Sequence, residues 1–141
     1  MSQLANERVA WFNGEFMPER EVRIPFRDSS WVYGDGCFDM TRTFGHRLFK
    51  VKEHVERLYR SLKYLRIDPG FGPQKMCDLT EEVFERNRHL LGPDDDYWVG
   101  QRISRGVNTR FVMVRSAPGS AQDEVTMRIA GRGDNHGAAF E

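Results

Sequence analysis

The chain has 141 residues and a mass of 16.5 kDa, and its 21 Lys+Arg balance 21 Asp+Glu, for zero formal net charge. That length suits one domain able to bury roughly two-thirds of its unfolded surface, and 39% hydrophobic with 30% charged residues excludes general disorder. No apolar run approaches the ~20 residues of a membrane helix, no basic excess marks a nucleic-acid binder, and two cysteines, Cys37 and Cys77, are too few for a secreted disulfide scaffold, which predicts a cytoplasmic protein with reduced thiols.

The first third reads as strands. Val9-Ala10-Trp11-Phe12 and Glu15-Phe16-Met17 flank Asn13-Gly14, the strongest short hairpin signal because both turn positions need positive φ. Pro18 ends that strand or confines it to an edge, and the alternation in Val22-Arg23-Ile24 predicts a further short strand. Residues 27–36 carry Asp28, Ser29, Ser30 and two glycines around Asp35, which reads as a tight turn. A strand over residues 37–44 places Phe38, Met40 and Arg42 on one face, and Gly45-His46 turns it into a partner over residues 47–50.

Two helices follow. Residues 52–66 hold Val55, Leu58, Tyr59, Leu62 and Leu65 at helical spacing. Glu53 and Arg57, and Glu56 and Arg60, stand four apart as pairs on the outer side, with Arg57 opposite the Leu58/Leu62 stripe. The breaker-rich residues 67–72 lead to Pro73, suited to a first helical position, and the second helix is predicted to run to about residue 91. Strands resume over residues 97–104, 110–115 and 124–129, after which a glycine-containing tail is predicted over 131–141. Strands, two helices, then strands predict an α+β domain over 1–130, with the helices on one face of an antiparallel sheet.

Three stretches can carry chemistry. In residues 27–44, Tyr33, Phe38 and Arg42 either line a pocket or are core aromatics beside a turn. Arg57 is either a solvated member of an i,i+4 pair or a bidentate phosphate ligand beside a cleft. Arg102, and Arg105 at the strand end, are either idle surface charges or carboxylate clamps. His46, His54, His89 and His136 show no metal-ligand spacing, and no metal is predicted.

Taken in order, Trp11-Phe12-Asn13-Gly14-Glu15, Tyr33-Gly34-Asp35-Gly36-Cys37-Phe38-Asp39, Phe49-Lys50 leading to Glu53-His54-Val55-Glu56-Arg57-Leu58-Tyr59-Arg60-Ser61, and Ile103-Ser104-Arg105-Gly106 resemble the class IV (fold type IV) pyridoxal-phosphate aminotransferases. That group includes branched-chain and D-amino-acid aminotransferases. The resemblance implies the fold of their small N-terminal domain, amino acid and 2-oxo acid substrates, and a homo-oligomer. It implies that Arg57 binds the cofactor phosphate, that Tyr33, Phe38 and Arg42 line the substrate pocket, and that Arg102 and Arg105 fall near carboxylate-binding positions. It also implies a lysine that forms a Schiff base with pyridoxal phosphate. The four lysines here are Lys50, Lys52, Lys63 and Lys75, none matches that position, and from Asn108 onward no family match is expected. The chain is therefore expected to be inactive alone, as the N-terminal part of such an enzyme. The alternative from a different class is a non-catalytic binding or assembly module derived from the small domain.

Overall fold

The structure, a computed structural model, describes residues 7–107. The strands predicted over 110–115 and 124–129, the tail over 131–141 and the end of the 1–130 domain lie outside those residues. Strands β1 (Val9–Phe12) and β2 (Glu15–Pro18) form the predicted hairpin, with Val9 opposite Pro18 and Phe12 opposite Glu15. Asn13 and Gly14 supply the two positive φ values, 49° and 104°.

Beyond the hairpin the prediction and the structure part. A 3-10 turn, Glu19–Glu21, follows β2, and residues 22–24 form no strand. Arg23 folds its own Nη1 onto the carbonyls of Arg20 and Val22, and the segment pairs with no strand among the described residues. The predicted turn after Arg27 is instead a short helix, α1 (Ser29–Tyr33). Asp28 caps its first turn by accepting from the Ser30 N–H at 2.9 Å, and Gly34 closes it at φ 68°.

Strand β3 (Gly36–Phe44) pairs antiparallel with β5 (Trp98–Ser104) from Gly36 opposite Ser104 to Arg42 opposite Trp98, and with the two-residue β4 (Arg47–Leu48). The sheet order is β4-β3-β5. Gly36 is required by close approach, since a Cβ there would lie 2.7 Å from the Ile103 carbonyl oxygen. Helix α2 (Val51–Leu65) buries Val51, Val55, Leu58 and Leu62, and α3 (Pro73–Asn87) starts on Pro73 as predicted. Four buried residues of α2, with Ile67, Met76, Cys77 and Ile103, make the core, and Trp11 and Phe71 pack on it edge to face at 5.8 Å.

Helix α3 stops four residues before the periodicity predicts. A 3-10 turn, Arg88–Leu90, replaces its last turn, and the side-chain amide of Asn87, the last residue of α3, reaches both back to the Val83 carbonyl at 2.7 Å and across to β1. Its Oδ1 accepts from the Val9 N–H at 2.9 Å and its Nδ2 donates to the Val9 carbonyl at 2.8 Å, docking β1 on α3. Both helices lie on one side of the three-stranded sheet, which fulfils the α+β expectation. No helix among the described residues is long and apolar enough to cross a membrane.

Candidate functional site

Alternation along β3 and β5 makes two unlike faces. Asp39, Thr41 and Thr43, with Gln101 and Ile103, are buried toward the helices. Phe38, Met40, Arg42 and Phe44 on β3, with Trp98, Gly100 and Arg102 on β5, form the outer face. That face is rich in aromatic surface, Phe38 being 68% and Trp98 62% exposed. Arginines stand over it: the Arg42 guanidinium carbon lies 4.6 Å from the Phe44 ring centre and 5.5 Å from that of Trp98, and that of Arg102 lies 5.9 Å from that of Phe38.

Arg57 does not stand opposite the sheet, and its partner is not Glu53. His54 and Arg57, one helical turn apart on α2, flank β3 and converge on the buried Asp39 carboxylate. Arg57 Nε donates to Oδ2 and Nη2 to Oδ1, both at 2.7 Å, and His54 Nδ1 lies 2.8 Å from Oδ1. Lys52, not Arg60, meets Glu56, at 4.0 Å. Burial by itself pushes the Asp39 carboxyl up. Hydrogen bonds from Arg57, His54 and the Met40 N–H, with the Arg57 charge, outweigh it and hold the group below the ordinary carboxylate range. The same contact raises the Arg57 pKa, so the guanidinium keeps its charge, and Nη1 has no partner among the described residues.

Arg42 and Arg102 on the outer face, and Arg105 just past the end of β5, differ in what they are free to bind. Arg105 Nε and Nη2 clasp Asp35 at 2.5 and 3.2 Å, while Nη2 and Nη1 donate to the Leu65 and Arg66 carbonyls at 2.7 and 3.0 Å. It caps the C-terminus of α2 and ties it to the loop between Tyr33 and Gly36. Arg42 Nε donates to the Thr43 carbonyl at 3.2 Å, and Nη2 lies 3.6 Å from the Asp96 carboxylate. Arg102 has no hydrogen bond or ion pair among the described residues; its one contact of this kind is the Phe38 ring. Tyr33, half exposed, ends α1.

Sequence reasoning missed Asp39, His54, Asp28 and Asp35. Asp39 had a signal, since alternation from Phe38 puts a carboxylate on the inner face, where it needs a cation. A cleft of about 480 Å³ runs between β1, α3 and β5, and of the predicted site residues only Arg102 lines it. Burial pushes both thiols up, the nearby Asp39 adding to this at Cys37 and acidic neighbours at Cys77, so neither is an activated nucleophile. No three His, Cys, Asp or Glu side chains group to hold a metal among the described residues.

A family model, amino-transferase class IV, matches residues 36–130. It continues past residue 106, so the expectation of no family match from Asn108 onward is overturned. A D-alanine aminotransferase of Staphylococcus haemolyticus is 32% identical over 77 residues, 55% of this chain and 27% of that protein. A putative branched-chain-amino-acid aminotransferase of Methanocaldococcus jannaschii is 35% identical over 97 residues, 69% of this chain and 32% of that protein. The chain thus spans about a third of the length of the curated relatives it matches. Among solved structures, the T.th. branched-chain amino acid aminotransferase complexed with N-(5'-phosphopyridoxyl)-L-glutamate aligns with a TM-score of 0.64 at 26% identity, over 73% of this chain and 34% of that one. The branched-chain aminotransferase of Thermoproteus uzoniensis with norvaline aligns over 81% of this chain and 37% of that one, with a TM-score of 0.59; at 20% identity that likeness speaks to the fold alone. An α+β sheet shared with those enzymes, and a family match from the first residue of β3 onward, make this chain a member of the class IV aminotransferase family.

Proposed function

We propose that this chain supplies the phosphate and substrate-carboxylate contacts of a pyridoxal-phosphate-dependent aminotransferase that moves an amino group between amino acids and 2-oxo acids. The observation that carries the reading is Arg57. One edge of its guanidinium is locked onto a buried carboxylate, and Nη1 remains available among the described residues. A permanently charged donor with a fixed plane fits a phosphate monoester. When bound, pyridoxal phosphate supplies a carbonyl that condenses with amines and a ring that takes up electron density. On this reading Arg57 holds the phosphate, while Tyr33, Phe38 and Arg42 line the substrate pocket. Arg102 receives the substrate carboxylate with Arg42 beside it, and Arg105 holds the loop that carries Tyr33.

None of the four lysines, all of them among the described residues, is suited to anchor the cofactor covalently. Lys52 pairs with Glu56, Lys50 stands over the Phe49 ring, and Lys63 and Lys75 lie on the exposed sides of α2 and α3. The 141-residue chain by itself is expected to bind pyridoxal phosphate reversibly and to give no turnover. Binding followed by absorbance is expected to weaken about tenfold or more in Arg57→Ala, from loss of a charge-assisted contact. Borohydride reduction should yield no single stoichiometric lysine adduct. Equal affinity in Arg57→Ala, or one such adduct accompanied by turnover, would refute the reading.

Assembly belongs to the same reading. Phe26, Trp31, Phe38 and Trp98 are each more than 60% exposed, a density of large apolar groups that favours a homo-oligomer. Light scattering is expected to show mass rising with concentration, and a constant monomer mass would count against assembly. The free Cys37 and Cys77 support a reducing, cytoplasmic setting.

A further inference from the structure

Gly100 sits in the middle of β5 opposite Met40, with both neighbouring residues in the ladder. Its φ lies outside the left-handed region, so the backbone does not demand glycine there. A glycine inside a strand loses more chain entropy on folding than any other residue and packs nothing. Something else must profit from the missing side chain.

The neighbour that would feel a Cβ first is Arg102. An ideal Cβ at Gly100 would lie 3.2 Å from Arg102 Nη1, closer than its next neighbours, Met40 Cγ at 3.6 Å and Cε at 3.7 Å. Residues 100 and 102 share the outer face, two positions apart on one strand. The Arg102 side chain therefore folds back along β5 and lays its guanidinium over Gly100. Its charge stands beside the Met40–Gly100 row, with the Phe38 ring on one side, and not above its own Cα. Of the outer arginines it is the one with no ion pair or hydrogen bond among the described residues.

We infer that Gly100 is a positioning residue whose missing side chain sets where the Arg102 guanidinium stands on the outer face of the sheet, and so where a substrate carboxylate is received. This rests on the reading of Arg102 given above. A β-carbon at position 100 would push Arg102 Nη1 away by a few tenths of an ångström and so shift the guanidinium from its place over the strand. The fold would not suffer, because the contact pushed aside is the far end of a flexible side chain.

The test uses the full chain and pyruvate as carboxylate probe, followed by two-dimensional NMR at the Trp98 indole and the Arg102 Nε–H. Wild type is expected to give saturable shifts, and Arg102→Ala to lose them. Gly100→Ala, and Gly100→Ser as a second variant, are expected to weaken pyruvate about tenfold. They should also weaken the contact between the Arg102 Nε–H and the Phe38 ring, while the thermal midpoint does not fall. Adding Gly100→Ala to Arg102→Ala should change nothing further. If Gly100→Ala binds like wild type and keeps the Phe38 contact while Arg102→Ala has lost binding, the role of Gly100 is overturned and that of Arg102 stands. Additive losses in the double variant would also overturn it. If wild type gives no shift, or Arg102→Ala binds as wild type does, the carboxylate reading falls and the role of Gly100 falls with it.

Discussion

Replacing Asp28 by alanine is expected to lower the stability of the fold by about 3 kcal/mol, from a lost helix cap and stranded buried donors together. The Asp28 side chain is completely buried. Its Oδ1 accepts from the Ser30 N–H at 2.9 Å, from the Ser30 hydroxyl, and from the Ser104 hydroxyl at 2.6 Å. Ser104 Oγ in turn accepts the Gly106 N–H at 2.9 Å, and the Gly106 carbonyl accepts from Ser29 N–H at 2.8 Å. One carboxylate thus joins the start of α1 to the end of β5, two elements 76 residues apart in the chain. Alanine removes the acceptor and strands the Ser30 N–H and the Ser30 and Ser104 hydroxyls that donate to it, the costly kind of deletion. Asparagine keeps one acceptor oxygen and should fall between alanine and wild type. Urea unfolding followed by circular dichroism measures this, at unchanged m. A loss below about 1 kcal/mol for alanine would mean that the node does not hold the two elements together. Tyr33 ends α1, so the same variant should loosen that side chain before it unfolds the sheet.

Asp28 also marks the boundary of what the sequence makes legible. Local rules with short reach were readable. Asn13-Gly14 announced its hairpin, Pro73 its helix start, and the period of α2 its buried stripe. The one-turn helix α1 is built from equally local signals, Asp28 before Ser29-Ser30 and Gly34 after Tyr33, but five residues are too few to show a period. Where sequence reading failed, the deciding contact lay far along the chain. Val22-Arg23-Ile24 alternates like a strand and has no neighbouring strand among the described residues. Helix α3 ends early at Asn87, whose side-chain amide is taken up by Val9, 78 residues away. Arg57 was matched with Glu53 because a helical wheel sees only its own helix. Its partner, Asp39, is 18 residues earlier on the neighbouring strand, and the His54 ring shares that carboxylate with the guanidinium. Arg105 reads as a free strand-end cation until the end of α2 is brought against it.

The Asp39 contact sets the second large effect. Asp39→Asn is expected to weaken pyridoxal phosphate about tenfold, because the guanidinium of Arg57 is then no longer pre-oriented and must be ordered by the ligand itself. The same variant carries a pH signature. The folded carboxyl lies below its ordinary value, so its contribution to stability is fully present above the unfolded pKa of about 4 and is lost as pH falls through the folded value. The groups facing it are Arg57 and His54 from α2, with the Cys37 thiol on its own strand. Arg57 stays charged throughout, so the acid loss belongs to the carboxylate. Urea midpoints between about pH 2 and 7 should therefore fall more steeply for wild type than for Asp39→Asn below about pH 4, with the two curves converging at the acid end. Parallel curves would show that the carboxylate is not stabilised by its two partners in solution. Unchanged cofactor affinity alongside converging curves would show instead that the clasp serves the fold and leaves the phosphate contact of Arg57 to stand without it.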